Sequence, residues 1–247
     1  MAIRRNTFDL GDITEVEEYI DGRYGAPGVK RGRKQKATPG DVARINRWNK
    51  EKRCRRRLRL YFHENDVYAT LTMKKELRPE TMEDMKRIWR SFIAIVRKEY
   101  RRRGETLRWI RNIERGSRGA WHIHMAVNRI PDTDLIIKKA WREQGHINLT
   151  PMYTEGGFRE LAAYLTKTEE TDKGMAESSF DTSRNMPLPE PKKKLLTRKS
   201  IQAEPKPPKG YYVEKESVYE GVSATGFPFR YYTMIRIGGR FDRRKRE

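Results

Sequence analysis

Cysteine is nearly absent from this 247-residue chain: Cys54 is the only one, which excludes an internal disulfide framework and any cysteine-cluster zinc site. Histidine is scarce too, with four copies, so a bound metal would have to rely on imidazoles and carboxylates. No segment approaches the roughly 18 consecutive apolar residues of a membrane span, and the opening Met1-Ala-Ile-Arg-Arg-Asn lacks the apolar stretch of a signal peptide. A soluble, cytoplasmic protein without a membrane partner is expected. Acids are outnumbered, 34 against 55 Lys and Arg, which gives a formal net charge of +21 and a pI of about 10.1. That excess points to a polyanionic partner. Apolar residues, at 36%, fall below the roughly 45% of an average globular domain. One compact core with basic extensions is therefore expected.

Residues 1–29 carry six acids and three bases without a clear apolar period, then Gly25-Ala-Pro-Gly28, and read as a poorly ordered lead-in. From Lys30 to Arg59 there are 14 bases and two acids. Within that stretch Val42, Ile45 and Trp48 recur at helical spacing, with Asp41 placed to cap. The run Arg55-Arg56-Arg57 is read as part of a DNA-binding arm; a solvated basic segment or localisation signal is the plainer alternative. Residues 1–60 thus form an acidic lead-in and a basic arm.

Residues 61–175 hold the periodic structure. From Asp66 to Lys74, Val67, Ala69, Leu71 and Met73 alternate with Tyr68, Thr70 and Thr72, the period of a half-buried strand. Lys74 at its end is a further candidate DNA contact. A helix from near Pro79 places Met85, Ile88, Trp89, Phe92 and Val96 on one face and stops at Gly104. Thr106 to Glu114 and Ala120 to Asn128 predict a hairpin, Asp132 to Trp141 a short helix, His146 to Thr150 a strand. A last helix is expected from near Glu155 through Thr168. The order β-α-β-β-α-β plus one helix predicts an α+β fold, ferredoxin-like or RRM-like, with helices packed on an antiparallel sheet. Residues 176–209 read as an extended Pro/Lys-rich linker, since half of the twelve prolines lie between Pro187 and Pro208. Residues 210–247 read as a β-hairpin with a basic tail.

Chemistry concentrates at Glu114-Arg-Gly-Ser-Arg-Gly-Ala-Trp-His122-Ile-His124. Residues two apart on a strand share a face, so His122 and His124 present both imidazoles to one side while Trp121, Ile123 and Met125 pack on the other. Two imidazoles on one face can share a metal ion, although such a pair also suits two hydrogen-bonded sheet histidines. Folding back of the hairpin brings Glu114 beside them and yields a two-nitrogen, one-oxygen set. That set suits Mg²⁺ or Mn²⁺ on a phosphate oxygen and also accepts Zn²⁺. In the last helix, Phe158, Leu161, Ala162 and Leu165 form the expected buried stripe, which leaves Tyr164 off the core. Lys167, three residues on, is its surface neighbour and would favour phenolate or neutralise a phosphate; a surface tyrosine with a solvated lysine is the plainer alternative.

Taken in chain order, Thr70-Leu-Thr72, Glu114, His122-Ile-His124 and Tyr164-x-x-Lys167 resemble the HUH endonuclease superfamily, specifically its single-tyrosine rolling-circle replication initiators. The resemblance covers residues 66–168; Ser183-Arg-Asn185 and the tail are a softer match. It implies Tyr164 as the nucleophile with Lys167 as its accompanying lysine, His122, His124 and Glu114 as ligands of Mg²⁺ or Mn²⁺, and a structural role for the Thr-Leu-Thr strand. The implied activity is nicking and rejoining of single-stranded DNA at an origin through a 5′-phosphotyrosine, in a bacterial host. No second tyrosine lies in the Tyr164 helix, unlike paired-tyrosine initiators. No Walker A loop is present, so a host helicase is the implied partner. A relaxase or single-tyrosine transposase would share this chemistry, but small relaxases place the tyrosine before the histidines. A non-catalytic RRM-like binder of single strands is the alternative of a different class.

Overall fold

The computed structural model describes residues 3–20, 38–196, 201, 204–222 and 227–242. The basic run at 30–36, Gly25 to Gly28, Arg198-Lys199 and the last five residues lie outside them. The chain divides into two units, Asn49–Pro187 and Met1–Trp48 with Leu188–Glu247.

In the first of these, the predicted order is present: β3 (Val67–Met73), α2 (Met82–Arg102), β4 (Trp109–Gly116), β5 (Trp121–Val127), α3 (Thr133–Trp141), β6 (Gly145–Pro151) and α4 (Arg159–Thr166). Strand β7 (Met175–Thr182) extends the sheet to the order β6-β3-β5-β4-β7, antiparallel at every pair. The apolar positions of β3 and β5 turn to one face, where Leu71, Ile113, Ile123 and Met125 pack against Met85, Trp89, Phe92 and Val96 of α2 and Ile137 and Trp141 of α3. Helix α2 begins where the Thr81 hydroxyl accepts from the Asp84 amide and ends with Arg101 and Arg102 at its negative pole. The other face carries the polar positions and receives α4.

The last helix starts later than the pattern predicts. Gly156, Gly157 and Phe158 all have positive φ, between 54 and 63°, which breaks the helix before Arg159. Phe158 is buried as expected, but from this left-handed turn and not from the helix.

In the second unit, residues expected to be a disordered lead-in form a hairpin of β1 (Ile3–Asp9) and β2 (Ile13–Ile20). Strand β2 pairs with β11 (Pro228–Arg236), and β1 with β8 (Lys192–Leu196), which lies inside the stretch read as linker. Strands β9 (Tyr211–Val213) and β10 (Tyr219–Val222) both line the far edge of β11. The tail strands therefore join the amino-terminal hairpin, not the sheet of the other unit. Across three strands Arg5, Glu18 and Arg230 stand in register, with Glu18 Oε1 and Oε2 each 2.6 Å from one guanidinium. Glu18 and Arg230 are buried, and two guanidiniums against one carboxylate satisfy it far from water.

Helix α1 (Pro39–Tyr61) forms in the basic stretch. Its start is a reciprocal pair: the Thr38 hydroxyl accepts from the Asp41 amide, and the Asp41 carboxylate accepts from the Thr38 hydroxyl at 2.7 Å. Its arginines do not form the open arm expected. Arg55 and Arg56 are buried, and Arg57 donates to the Met186 carbonyl at 3.2 Å. A run of positive charge fixes composition but not direction, and a helix turns residues of one run toward different sides. Among the described residues no helix is long and apolar enough to cross a membrane.

Candidate active site

Strand register assembles the site on the polar face of the β6-β3-β5-β4-β7 sheet. Glu114 of β4 pairs directly with His122 of β5, as folding back of the hairpin requires, and Thr72 of β3 pairs with His122 from the other side. One step along, Asn112, His124 and Thr70 form the next cross-strand row. Directly opposed residues share a face, so these rows are fixed by the backbone before any side-chain contact.

Both imidazoles are held through Nδ1. His122 Nδ1 lies 3.0 Å from the Thr72 hydroxyl; His124 Nδ1 lies 2.9 Å from the Tyr68 hydroxyl and 3.3 Å from that of Thr70. The rings are 6.2 Å apart and nearly parallel, at 23°. On the other side of His124, Nε2 is 3.4 Å from Glu114 Oε2 and 3.3 Å from the Tyr164 hydroxyl. Glu114 Oε1 accepts from the Asn112 side-chain amide at 3.1 Å. Lys167 Nζ sits 3.1 Å from Glu114 Oε2, 3.3 Å from Asp172 Oδ2 and 4.2 Å from the centre of the Tyr164 ring. The predicted Tyr164, Lys167, Glu114 and His124 are thus brought together, with His122 on the adjacent row. Tyr164 remains 40% exposed and so open to a macromolecular substrate, whereas His124 and Glu114 are buried beneath it.

Electrostatics follow from this packing. Burial, the neighbouring His124 and the cations Arg78 and Lys167 lower the His122 pKa despite Glu114, which favours the neutral, ligating imidazole. Burial pushes the Tyr68 phenol well up, so it stays protonated as a hydrogen-bonding partner of His124. Lys167 is pulled down by burial, but Glu114, Tyr164 and Asp172 outweigh this and raise its pKa, keeping it an ammonium.

The donor chemistry suits a divalent ion: anchoring of both Nδ1 atoms leaves each Nε2 as the nitrogen for a ligand, beside one carboxylate. Among the described residues, however, no three His, Cys, Asp or Glu side chains already stand as a complete ligand set. Glu114 is instead engaged by the Lys167 ammonium.

Of the candidate DNA contacts, Lys74 is exposed and its ammonium donates to the Glu143 carbonyl at 3.3 Å, at the His122 end of the face. Arg55, Arg56 and Arg57 are not part of this cluster. Three contributors escaped the sequence reading. Tyr68 was visible in the alternation, since it shares a strand face with Thr70 and Thr72. Asn112 shares its face with Glu114 in the same way. Asp172 lies in the turn after α4, where no local pattern signals it.

Residues 66–169 match a family model of replication-associated proteins, that of the ORF2 type, and the match opens at β3 and closes just beyond α4. The similarity is consistent with a rolling-circle replication initiator. Comparison with curated proteins and with solved structures returned no match.

Proposed function

We propose that this protein initiates rolling-circle replication, nicking and rejoining single-stranded DNA at an origin with an HUH-type site. The observation that carries the reading is the Tyr164 hydroxyl 3.3 Å from His124 Nε2, with Lys167 Nζ against the same phenol ring. The match of residues 66–169 supports the replication context.

Tyr164 Oη attacks the scissile phosphorus. A phosphotyrosine bond forms on the 5′ side, the P–O3′ bond breaks, and the departing 3′ oxygen takes up a proton to become a hydroxyl. Lys167 favours the phenolate form of Tyr164 and offsets charge on the phosphate. Tyr68, Thr70 and Thr72 hold the imidazole rings in place. His122, His124 and Glu114 would hold Mg²⁺ or Mn²⁺, which supplies Lewis-acid polarisation of the phosphate when bound. The phosphotyrosine conserves the energy of the phosphodiester bond, so a later 3′ hydroxyl reverses the step and reseals the strand without ATP. A host helicase would open the duplex.

The test is a labelled random pool of single-stranded DNA with Mn²⁺, run on a denaturing gel for wild type, Tyr164→Phe and wild type with EDTA. A denaturation-resistant protein–DNA band lost in both controls supports the reading. Salt-sensitive binding without a band would instead favour an RRM-like binding protein.

A further inference from the structure

The catalytic rows do not stop at β3. Thr72 pairs onward with His146 of β6, Thr70 with Asn148 and Tyr68 with Thr150, so these three continue the face that carries His122 and His124. All three are exposed, while Ile147 and Leu149 between them pack into the core on the opposite face. Strands lie about 4.8 Å apart, which places this outer row roughly 10 Å from the histidines.

The opposite direction across the sheet is closed. Asn112 donates to the Lys167 carbonyl, the Ser178 hydroxyl to Glu169, and the Lys50 ammonium lies over the Phe180 ring. Helix α4 and the turn after it therefore cover the β4–β7 side. A strand passing over Tyr164 continues freely only across β3 and β6. On that side, the His146 and Asn148 side chains make no hydrogen bond among the described residues, although both carry donors and acceptors. Lys74 and Arg78 supply positive charge at the same end, Arg78 near enough to act on His122.

We propose that the outward row of β6, His146 and Asn148 with Thr150 at its end, is the base-reading subsite for nucleotides adjoining the cut phosphate. Unpaired bases present their Watson–Crick edges, which an amide and an imidazole recognise by hydrogen bonding; the backbone is left to the cations. The inference rests on the proposed action of this site on single-stranded DNA and names the part of it that gives sequence preference.

The experiment selects binders from a random single-stranded DNA pool with the full-length Tyr164→Phe protein, so that enrichment does not depend on nicking. It compares this parent with the same protein carrying His146→Ala and Asn148→Ala, both checked for an unchanged thermal melt. The parent should enrich a motif, and the double substitution should reduce base discrimination about tenfold at neighbouring positions with the salt slope unchanged. An identical motif in both proteins overturns the proposal, as does a parent that enriches none. Loss of the motif together with no covalent band from the wild type would leave the subsite standing and refute the nicking reading. A covalent band with an unaltered motif would do the reverse.

Discussion

Arg59, a buried guanidinium of α1, donates from Nε to the Gly157 carbonyl at 2.9 Å. It thereby pins the left-handed turn that launches the Tyr164 helix. A Cβ on Gly157 would stand 2.8 Å from Arg59 Nη2, and φ there is +54°. Gly157→Ala is expected to destabilise the protein by about 1–3 kcal/mol. Gly104, at φ +72° with open space around it, is the control and should lose no more than about 1 kcal/mol on substitution by Ala. Thermal or urea denaturation of the two variants compares them; equal losses would show that the Arg59 contact contributes nothing.

Tyr68 holds His124 from the side away from Tyr164. On the proposed reading, Tyr68→Phe keeps the ring and removes the hydroxyl, leaving Nδ1 with the longer contact to Thr70. Mn²⁺ affinity measured by calorimetry should fall about 10- to 100-fold. An affinity within twofold of wild type would show that Thr70 alone orients the imidazole.

Acid should loosen the sheet built from both ends of the chain. Burial pushes the Glu18 carboxyl up, but hydrogen bonds and charge from Arg230 and Arg5 outweigh it and hold its pKa below the ordinary 4.5. A depressed carboxylate contributes stability that is present above its unfolded value and lost as pH falls through its folded one, so the loss falls below about pH 4.5. Glu18→Gln should remove that acid dependence and cost about 3–5 kcal/mol at neutral pH, because two guanidiniums lose their anion. Circular dichroism melts across pH test both effects.

Cys54 offers a reporter for the other unit. Burial raises its thiol to about 12, so almost no thiolate exists near neutrality. Alkylation by iodoacetamide at about pH 8 should proceed only through unfolding and accelerate in step with denaturant. Rapid labelling of the native protein would contradict the packing around α1.

The nuclease-like core was legible in the sequence because its elements are local. Alternation marks β3, the 3.6 period marks α2, and the hairpin spacing alone brings Glu114 to His122. The hairpin of residues 3–20 was not, since Glu15 and Glu18 are buried in β2 and erase its alternation. Glu18 is satisfied by Arg230, 212 residues away, and no window of sequence carries that partnership. Arg55 and Arg56 failed for a related reason: a charge run says nothing of which side of a helix is covered. Lys167 and Tyr164 were found by spacing, whereas Asp172, which completes the lysine's pairing, belongs to a turn without a periodic signature.

The pairing of Glu18 with Arg230 also sets an order of events during synthesis. At roughly 5–20 residues per second a ribosome needs on the order of 10–40 s to bring out the second partner after the first. Residues 49–187 emerge in that interval as one contiguous stretch and can fold meanwhile. Strands β1 and β2 must wait for β8 and β11, so a polypeptide interrupted before β11 would carry the tyrosine site without the sheet that joins its two ends.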